Sequence, residues 1–181
     1  MTDAYDAVIY DLDGTLVELD VDWAQVRRRV AAVLEARGVE TGEATLWQLF
    51  DRAREAEHYP AVENRVAEFE REGARTSSKL PLAEELPWDG PTGVVSLNAE
   101  SACRIALEVH GLDSAVDVLI GRDTVEESKP HPQPLRAALS ALDVSPDNAL
   151  FVGDSASDAE TARRAGVDFQ SVADRLDRRR A

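Results

Sequence analysis

One cysteine, two lysines and three histidines are all that this chain of 181 residues offers toward disulfides, ammonium patches and zinc centres. With Cys103 alone no internal disulfide framework can form, which suits a reducing cytoplasm. His58, His110 and His131 are scattered and, beside a single thiol, show no zinc-ligand spacing. No apolar run approaches the length needed to span a bilayer. Residues 1–6 are acidic and lack the basic start of a secretory signal, so a cytoplasmic location is expected. Positive charge is scarce as well: 20 basic residues face 35 acidic ones, a formal net charge of -15. Such a field repels nucleic acid and anionic membranes, so neither is an expected partner. The acidity itself reads as a solvating surface, suited to high salt, where screening weakens self-repulsion. It does not by itself mark a cation site.

What the chain does hold is enough apolar material, 44%, for a substantial core. Residues 7–10 form a short apolar run of strand formers that ends on Asp11. From about 20 to 72 the period turns helical. One helix is expected from a cap at Asp20 or Asp22 to Arg37, with Val26, Val30, Val33 and Leu34 on one face and Gly38 as its stop. A second is expected after Thr41 with Leu46, Leu49 and Phe50, and a third from Pro60 to a stop at Gly73, burying Val62, Val66 and Phe69. Residues 75–91 read as a linker. Strands are then expected at 93–97, 116–120, 149–152 and 168–172, alternating with helices at 99–110, 132–142 and 155–165. That alternation implies an α/β fold: a Rossmann-like parallel sheet with helices on both faces. Arg178, Arg179 and Arg180 read as a frayed, solvated tail.

Ligands of such sheets gather at the carboxyl ends of the strands. Those ends carry Asp11 and Asp13, then Ser96, then Asp154 and Asp158, with Lys129 in the loop after the 116–120 strand. Carboxylates crowded into one cleft cannot all stay ionised without a cation, and hard oxygen ligands favour Mg²⁺. A lysine, a hydroxyl and free backbone amides beside that ion suit a phosphate dianion. Asp11 and Asp13, two apart where a strand ends, can face one substrate, one as nucleophile and one moving the proton. A calcium loop is excluded because Gly14 is fourth from Asp11 rather than sixth and a strand precedes it. Lys129 stands out in a chain that uses arginine almost everywhere else, since a point charge suits a bridging contact. Lys79 reads as solvated and His131, between prolines, as loop structure. Trp23, Trp47, Tyr59 and Phe69 read as the core of the helical segment rather than as substrate contacts.

On these residues the chain resembles the haloacid dehalogenase-like (HAD) superfamily, nearest its phosphoglycolate phosphatase-like branch. Asp11-Leu12-Asp13-Gly14-Thr15 resembles the first motif of that family, Val94-Val95-Ser96-Leu97-Asn98 the second, Lys129-Pro130-His131-Pro132 the third and Gly153-Asp154-Ser155-Ala156-Ser157-Asp158 the fourth. The resemblance implies Asp11 as nucleophile, Asp13 as general acid/base and Lys129 as a neutralising charge. It implies phosphate binding by Ser96, Leu97, Asn98 and Lys129, and Mg²⁺ held by Asp11, the backbone carbonyl of Asp13, Asp154 and Asp158. Leu97 stands between Ser96 and Asn98 where the family has a tighter pair. The family architecture implies a catalytic core of residues 1–17 and 88–181 and a small all-helical cap, 18–87, inserted after the first strand. The expected activity is hydrolysis of a small phosphorylated metabolite. A phosphomutase of the same family, similar to β-phosphoglucomutase, is the alternative. A dehalogenase would not need Asp13, and a non-catalytic binding module would not need to keep Asp11, Asp13 and Lys129 together.

Overall fold

The run Ala7–Tyr10 is buried at every residue, as only a strand covered on both faces can be. In the computed structural model, which describes residues 5–180, this strand is the centre of the molecule. Residues 1–4, most of the stretch weighed as a signal sequence, and Ala181 lie outside the described residues, as do the side chains of Arg179 and Arg180.

In chain order the strands are β1 (Ala7–Tyr10), β2 (Val17–Glu18), β3 (Ser78–Lys79), β4 (Thr92–Val95), β5 (Val118–Ile120), β6 (Ala149–Gly153) and β7 (Asp168–Ser171). Five of them form one parallel sheet in the order β5-β4-β1-β6-β7. Tyr10 lies opposite Val94 on one side and Val152 on the other, so β1, β4 and β6 end level. Whatever follows them shares one edge.

The period of two along β1 divides its side chains between two cores. Val8 and Tyr10 pack with Val94, Val152 and the helix α4 (Glu100–Val109), through Ala102, Cys103 and Ala106. Ala7 and Ile9 pack on the opposite face with Phe151 and two further helices, α5 (Gln133–Leu142) and α6 (Ala156–Ala165). The expected Rossmann-like α/β sheet, with helices on both faces, is the observed one.

Between β1 and β4 stand α1 (Trp23–Glu35), α2 (Leu46–Glu55) and α3 (Tyr59–Arg75), with an apolar cluster of their own built on Val26, Val30, Leu34, Leu49, Phe50, Val62 and Val66. Asp22 caps α1 by accepting from Gln25 N, as one of the two expected caps. The second helix starts later than expected, because the capping box formed by Thr45 and Gln48 defines its first turn rather than Thr41. Gly73 does not stop the third helix. It lies inside α3, where a Cβ would stand 2.7 Å from Asp20 O, so the residue permits a close crossing of chain and helix.

Two stretches are more ordered than their sequence suggests. The expected linker pairs β3 with β2 in an antiparallel ladder, and its next turn buries Leu82 and Ala83 in the Tyr10 cluster. At the other end β7 is followed by α7 (Val172–Arg180), which takes in the arginines read as a frayed tail. The helix is anchored by Arg175, whose Nε donates to Glu85 Oε1 at 2.8 Å, while Tyr10 Oη donates to Glu85 Oε2 at 2.7 Å. No helix among the described residues is long and apolar enough to cross a membrane.

Candidate active site

Asp11 N still donates to Val152 O at 2.8 Å, so the sheet ladder holds the residue after β1 in place. Its side chain leaves the sheet edge and is nearly buried. Three residues on, Gly14 takes a φ of +84°, and a Cβ there would overlap the carboxylate of Asp154. The turn can therefore close against β6 only with glycine. Asp13 Oδ1 accepts from Leu19 N at 2.8 Å, which ties this carboxylate to the chain entering the helical segment.

Lys129 reaches this edge from the loop after β5. Its Nζ donates to Asp11 Oδ1 at 2.9 Å, to Asp158 Oδ1 at 2.6 Å and to Val95 O at 3.2 Å, with all three side chains buried. Asp158 is placed by helix capping: Ser155 is the N-cap of α6 and Asp158 its reciprocal partner, accepting at Oδ2 from Ser155 Oγ and N. Ser155 and Asp158 thus cap this helix start between them, while Asp154 stays open to the cleft. Carboxylate oxygens of Asp11, Asp154 and Asp158 all lie within 4.8 Å of one another.

Three carboxylates around one ammonium leave excess negative charge in a dry place. Burial raises the pKa of Asp11, against the pull of Lys129, and raises that of Asp154, with Asp158 adding to it. Asp13 is pushed up to about 6 by burial, although the Leu19 amide opposes the shift. Burial also works against the Lys129 charge, but Asp11 and Asp158 outweigh it and hold the ammonium above its usual range. Hard oxygen donors with a charge deficit of this kind fit a divalent cation such as Mg²⁺, with Asp11 and Asp154 the carboxylates best placed to hold it.

Beside Lys129 runs the loop after β4. Ser96 Oγ donates to Asn98 Oδ1 at 3.0 Å and accepts from Asn98 N at 3.1 Å, so the intervening Leu97 does not separate the pair. Asn98 Nδ2 donates in turn to Glu70 Oε1 at 3.2 Å, and Ala99 N donates to Glu70 Oε2 at 3.0 Å. Glu70 comes from α3 and is fully buried. It meets Arg122, which grips Glu70 and Glu63 through four hydrogen bonds of 2.6 to 2.9 Å and donates to Leu97 O at 2.7 Å. Burial works against the guanidinium charge, yet the two glutamates hold its pKa still higher than usual. Neither Glu70 nor Arg122 figures in the sequence reading. Their signals were present: Glu70 continues the i, i+4 series of Val62 and Val66 on the buried stripe of α3, and Arg122 follows the carboxyl end of β5.

Residues 8–172 match the family of haloacid dehalogenase-like hydrolases. The chain belongs to that family. It is 33% identical to a phosphoglycolate phosphatase of Rhodospirillum rubrum over 89% of this chain and 76% of that protein. It is also 33% identical to a plasmid-borne phosphoglycolate phosphatase of Cupriavidus necator over 89% of this chain and 78% of the relative. Similarity to pyrophosphatase PpaX of Bacillus cereus, again 33%, takes in 64% of this chain and 46% of that one. Among solved structures, a HAD-superfamily hydrolase of subfamily IA from Geobacter sulfurreducens superposes with a TM-score of 0.61 at 25% identity, covering 92% of this chain and 88% of the other. The resemblance drawn from the four motifs, in its phosphoglycolate phosphatase-like branch, holds, and with it the expectation of an enzyme of the phosphatase kind.

In this HAD-like hydrolase the cleft over Asp11 is a cavity of about 360 Å³ bounded by Asp13, Asn98, Lys129 and Asp154 on the sheet side. Its other wall is Trp23, Leu46 and Trp47. The expectation that the aromatic residues between β1 and β4 form an internal core is correct for Tyr59 and Phe69, which pack on the α1–α3 cluster. It is overturned for Trp23 and Trp47, which stand at the first turns of α1 and α2 and are 38% and 46% exposed. A first-turn position carries a side chain past the helix end, and helical period alone does not reveal that.

Proposed function

We propose that the chain is a Mg²⁺-dependent phosphatase that hydrolyses a small phosphomonoester through an aspartyl-phosphate on Asp11. The observation that carries this reading is Lys129 Nζ, fixed between Asp11 and Asp158 at 2.9 and 2.6 Å on the shared edge of β1 and β6. Residues 1–17 and 88–181 would be the catalytic core and 18–87 the cap. Phosphoglycolate phosphatases among the relatives support a small phosphorylated metabolite as substrate, and we place the reaction in the cytoplasm.

Asp11 attacks phosphorus with one carboxylate oxygen as the bond to the leaving oxygen breaks. Asp13, raised to about 6, is a suitable acid near neutral pH and gives its proton to that oxygen. It then takes a proton from the water that attacks the aspartyl-phosphate, which releases inorganic phosphate and restores Asp11. Lys129 and the amides and hydroxyl of Ser96–Asn98 hold the phosphoryl oxygens. Asp158 keeps Lys129 in register, and Asp11, Asp154, Asp158 and the backbone carbonyl of Asp13 would hold the metal. When bound there, the cation would neutralise charge on nucleophile and phosphoryl group alike.

The test is phosphate release from a panel of phosphomonoesters with and without Mg²⁺, run on the native chain and on Asp11→Asn. Metal-dependent release that vanishes in Asp11→Asn with an unchanged circular dichroism spectrum is expected. Undiminished turnover by Asp11→Asn would overturn the nucleophile. Isomerisation of a hexose phosphate without phosphate release would replace the phosphatase by the mutase.

A further inference from the structure

The cleft opposite Asp11 has an unusual balance of surfaces for a protein whose partners are anions. Its outer wall is apolar: Trp23, Leu46 and Trp47, with Leu97 facing them across the cavity. Trp47 is a firm surface because its ring stacks on Phe50, centroids 5.6 Å apart and planes 24° from parallel. Trp23 and Trp47 are large, part-exposed apolar side chains on one cavity, and an apolar patch rimmed by polar groups marks a ligand groove.

The cations near this cavity are already engaged. Lys129 is held by two carboxylates, and Arg122 by Glu63 and Glu70. Arg54 borders an adjoining cavity on the Phe50 side of Trp47, where it lies over the Tyr59 ring and faces Asp51 at 3.4 Å. A second negative group on the substrate would therefore meet no unengaged cation in the Asp11 cavity. The field of the whole chain adds to the penalty.

We propose that Trp23 and Trp47 select a phosphomonoester whose leaving group is a neutral, flat ring rather than a carboxylate or a second phosphate. This rests on the phosphatase reading above and separates the chain from relatives named for phosphoglycolate. The phosphoryl group lies against Asp11 and Lys129, and the ring lies on the face of Trp47 with Trp23 at its edge. The cavity of about 360 Å³ leaves space for such a ring beyond the phosphate.

The test compares kcat/KM of the Mg²⁺-supplemented chain for benzyl phosphate, n-propyl phosphate and phosphoglycolate, all of which release an alcohol. Benzyl phosphate is expected to exceed both others by about tenfold or more, the scale on which an apolar pocket discriminates. Trp47→Ala should lower the benzyl-to-propyl ratio about tenfold, mostly through KM, and Trp47→Phe should keep most of it. Independently, benzylphosphonate should bind saturably to the native chain and to Asp11→Asn in isothermal titration calorimetry, and far more weakly to Trp47→Ala. Preference for phosphoglycolate, or a ratio unmoved by Trp47→Ala, overturns the proposal while leaving the phosphatase intact. If no ester is hydrolysed, the phosphatase reading fails. Saturable calorimetric binding of benzylphosphonate that is lost in Trp47→Ala would then still uphold recognition of the ring, and its absence would overturn that too.

Discussion

Glu70 holds together parts of the chain that are far apart in sequence: α3, the loop after β4 and the loop after β5. Its two oxygens serve Asn98 Nδ2, Ala99 N and Arg122, so one buried carboxylate fixes the backbone beside Ser96. Removing its charge leaves Arg122 short of a partner in a dry site, which typically costs about 3 kcal/mol. Glu70→Gln is therefore expected to lower unfolding stability by that order in denaturant titrations. It should also lower kcat/KM about tenfold, because a small displacement of the groups proposed to hold phosphate would be expensive in rate. Wild-type kcat/KM in a destabilised but folded Glu70→Gln would remove the positioning role. Cys103 makes the opposite kind of prediction. It is fully buried, and burial drives its thiol pKa well above the usual range. It should not react with 5,5′-dithiobis(2-nitrobenzoate) in the native state and should react fully once the chain is unfolded; rapid native labelling would contradict this. At this scale the sequence disclosed the residues whose chemistry is unusual in type or order, namely Asp11, Asp13, Ser96, Lys129, Asp154 and Asp158. Glu70 and Arg122 stayed hidden because their types are common in this chain and only burial makes them distinctive.

Among the elements, those read most accurately are fixed by short-range rules. β1 is an apolar run bounded by Asp6 and Asp11, and α6 has a serine cap with its reciprocal acid. The misread ones are fixed by tertiary contact. Gly73 resembles a stop signal until the crossing of Asp20 over α3 is seen, and β2 and β3 are too short to show a period. The same holds for α7, whose arginine-rich sequence gives little apolar signal but whose Arg175 is buried against Glu85. Since Glu85 also accepts from Tyr10 Oη, this ion pair joins the last helix to the residue preceding Asp11. Glu85→Gln weakens the hydrogen bonds that Arg175 and Tyr10 donate to this carboxylate, and should therefore destabilise the chain by about 1 to 3 kcal/mol. The loss should extend to amide exchange in β1, with faster hydrogen exchange at Tyr10 and Asp11 and not only in α7. Exchange confined to α7 would mean that the link to the sheet carries no energy.

On the scale of the whole molecule, negative charge is abundant everywhere, yet it matters most where water is excluded. The metal-free site pushes Asp13 up to about 6 and also raises Asp11 and Asp154. An unfolded aspartate titrates near about 3.9, so between that value and about 6 the folded chain binds protons that the unfolded chain does not. Stability from this source is complete below about 4 and is lost as pH rises through the folded value. The metal-free protein should thus melt at a lower temperature at pH 7.5 than at pH 5.5. At the proposed site Mg²⁺ would need the same oxygens deprotonated and would bind only the folded arrangement, so its stabilisation would have the reverse pH dependence. Thermal melts in chelator and in Mg²⁺ at both pH values test this directly. The Mg²⁺-induced rise in Tm should be larger at pH 7.5, and Asp11→Asn should abolish most of it. Sodium chloride at equal ionic strength separates the site from the surface: screening should raise Tm in native chain and Asp11→Asn alike. An Mg²⁺ effect matched by sodium chloride, or one undiminished in Asp11→Asn, would assign the stabilisation to the acidic surface and leave the cleft without its cation.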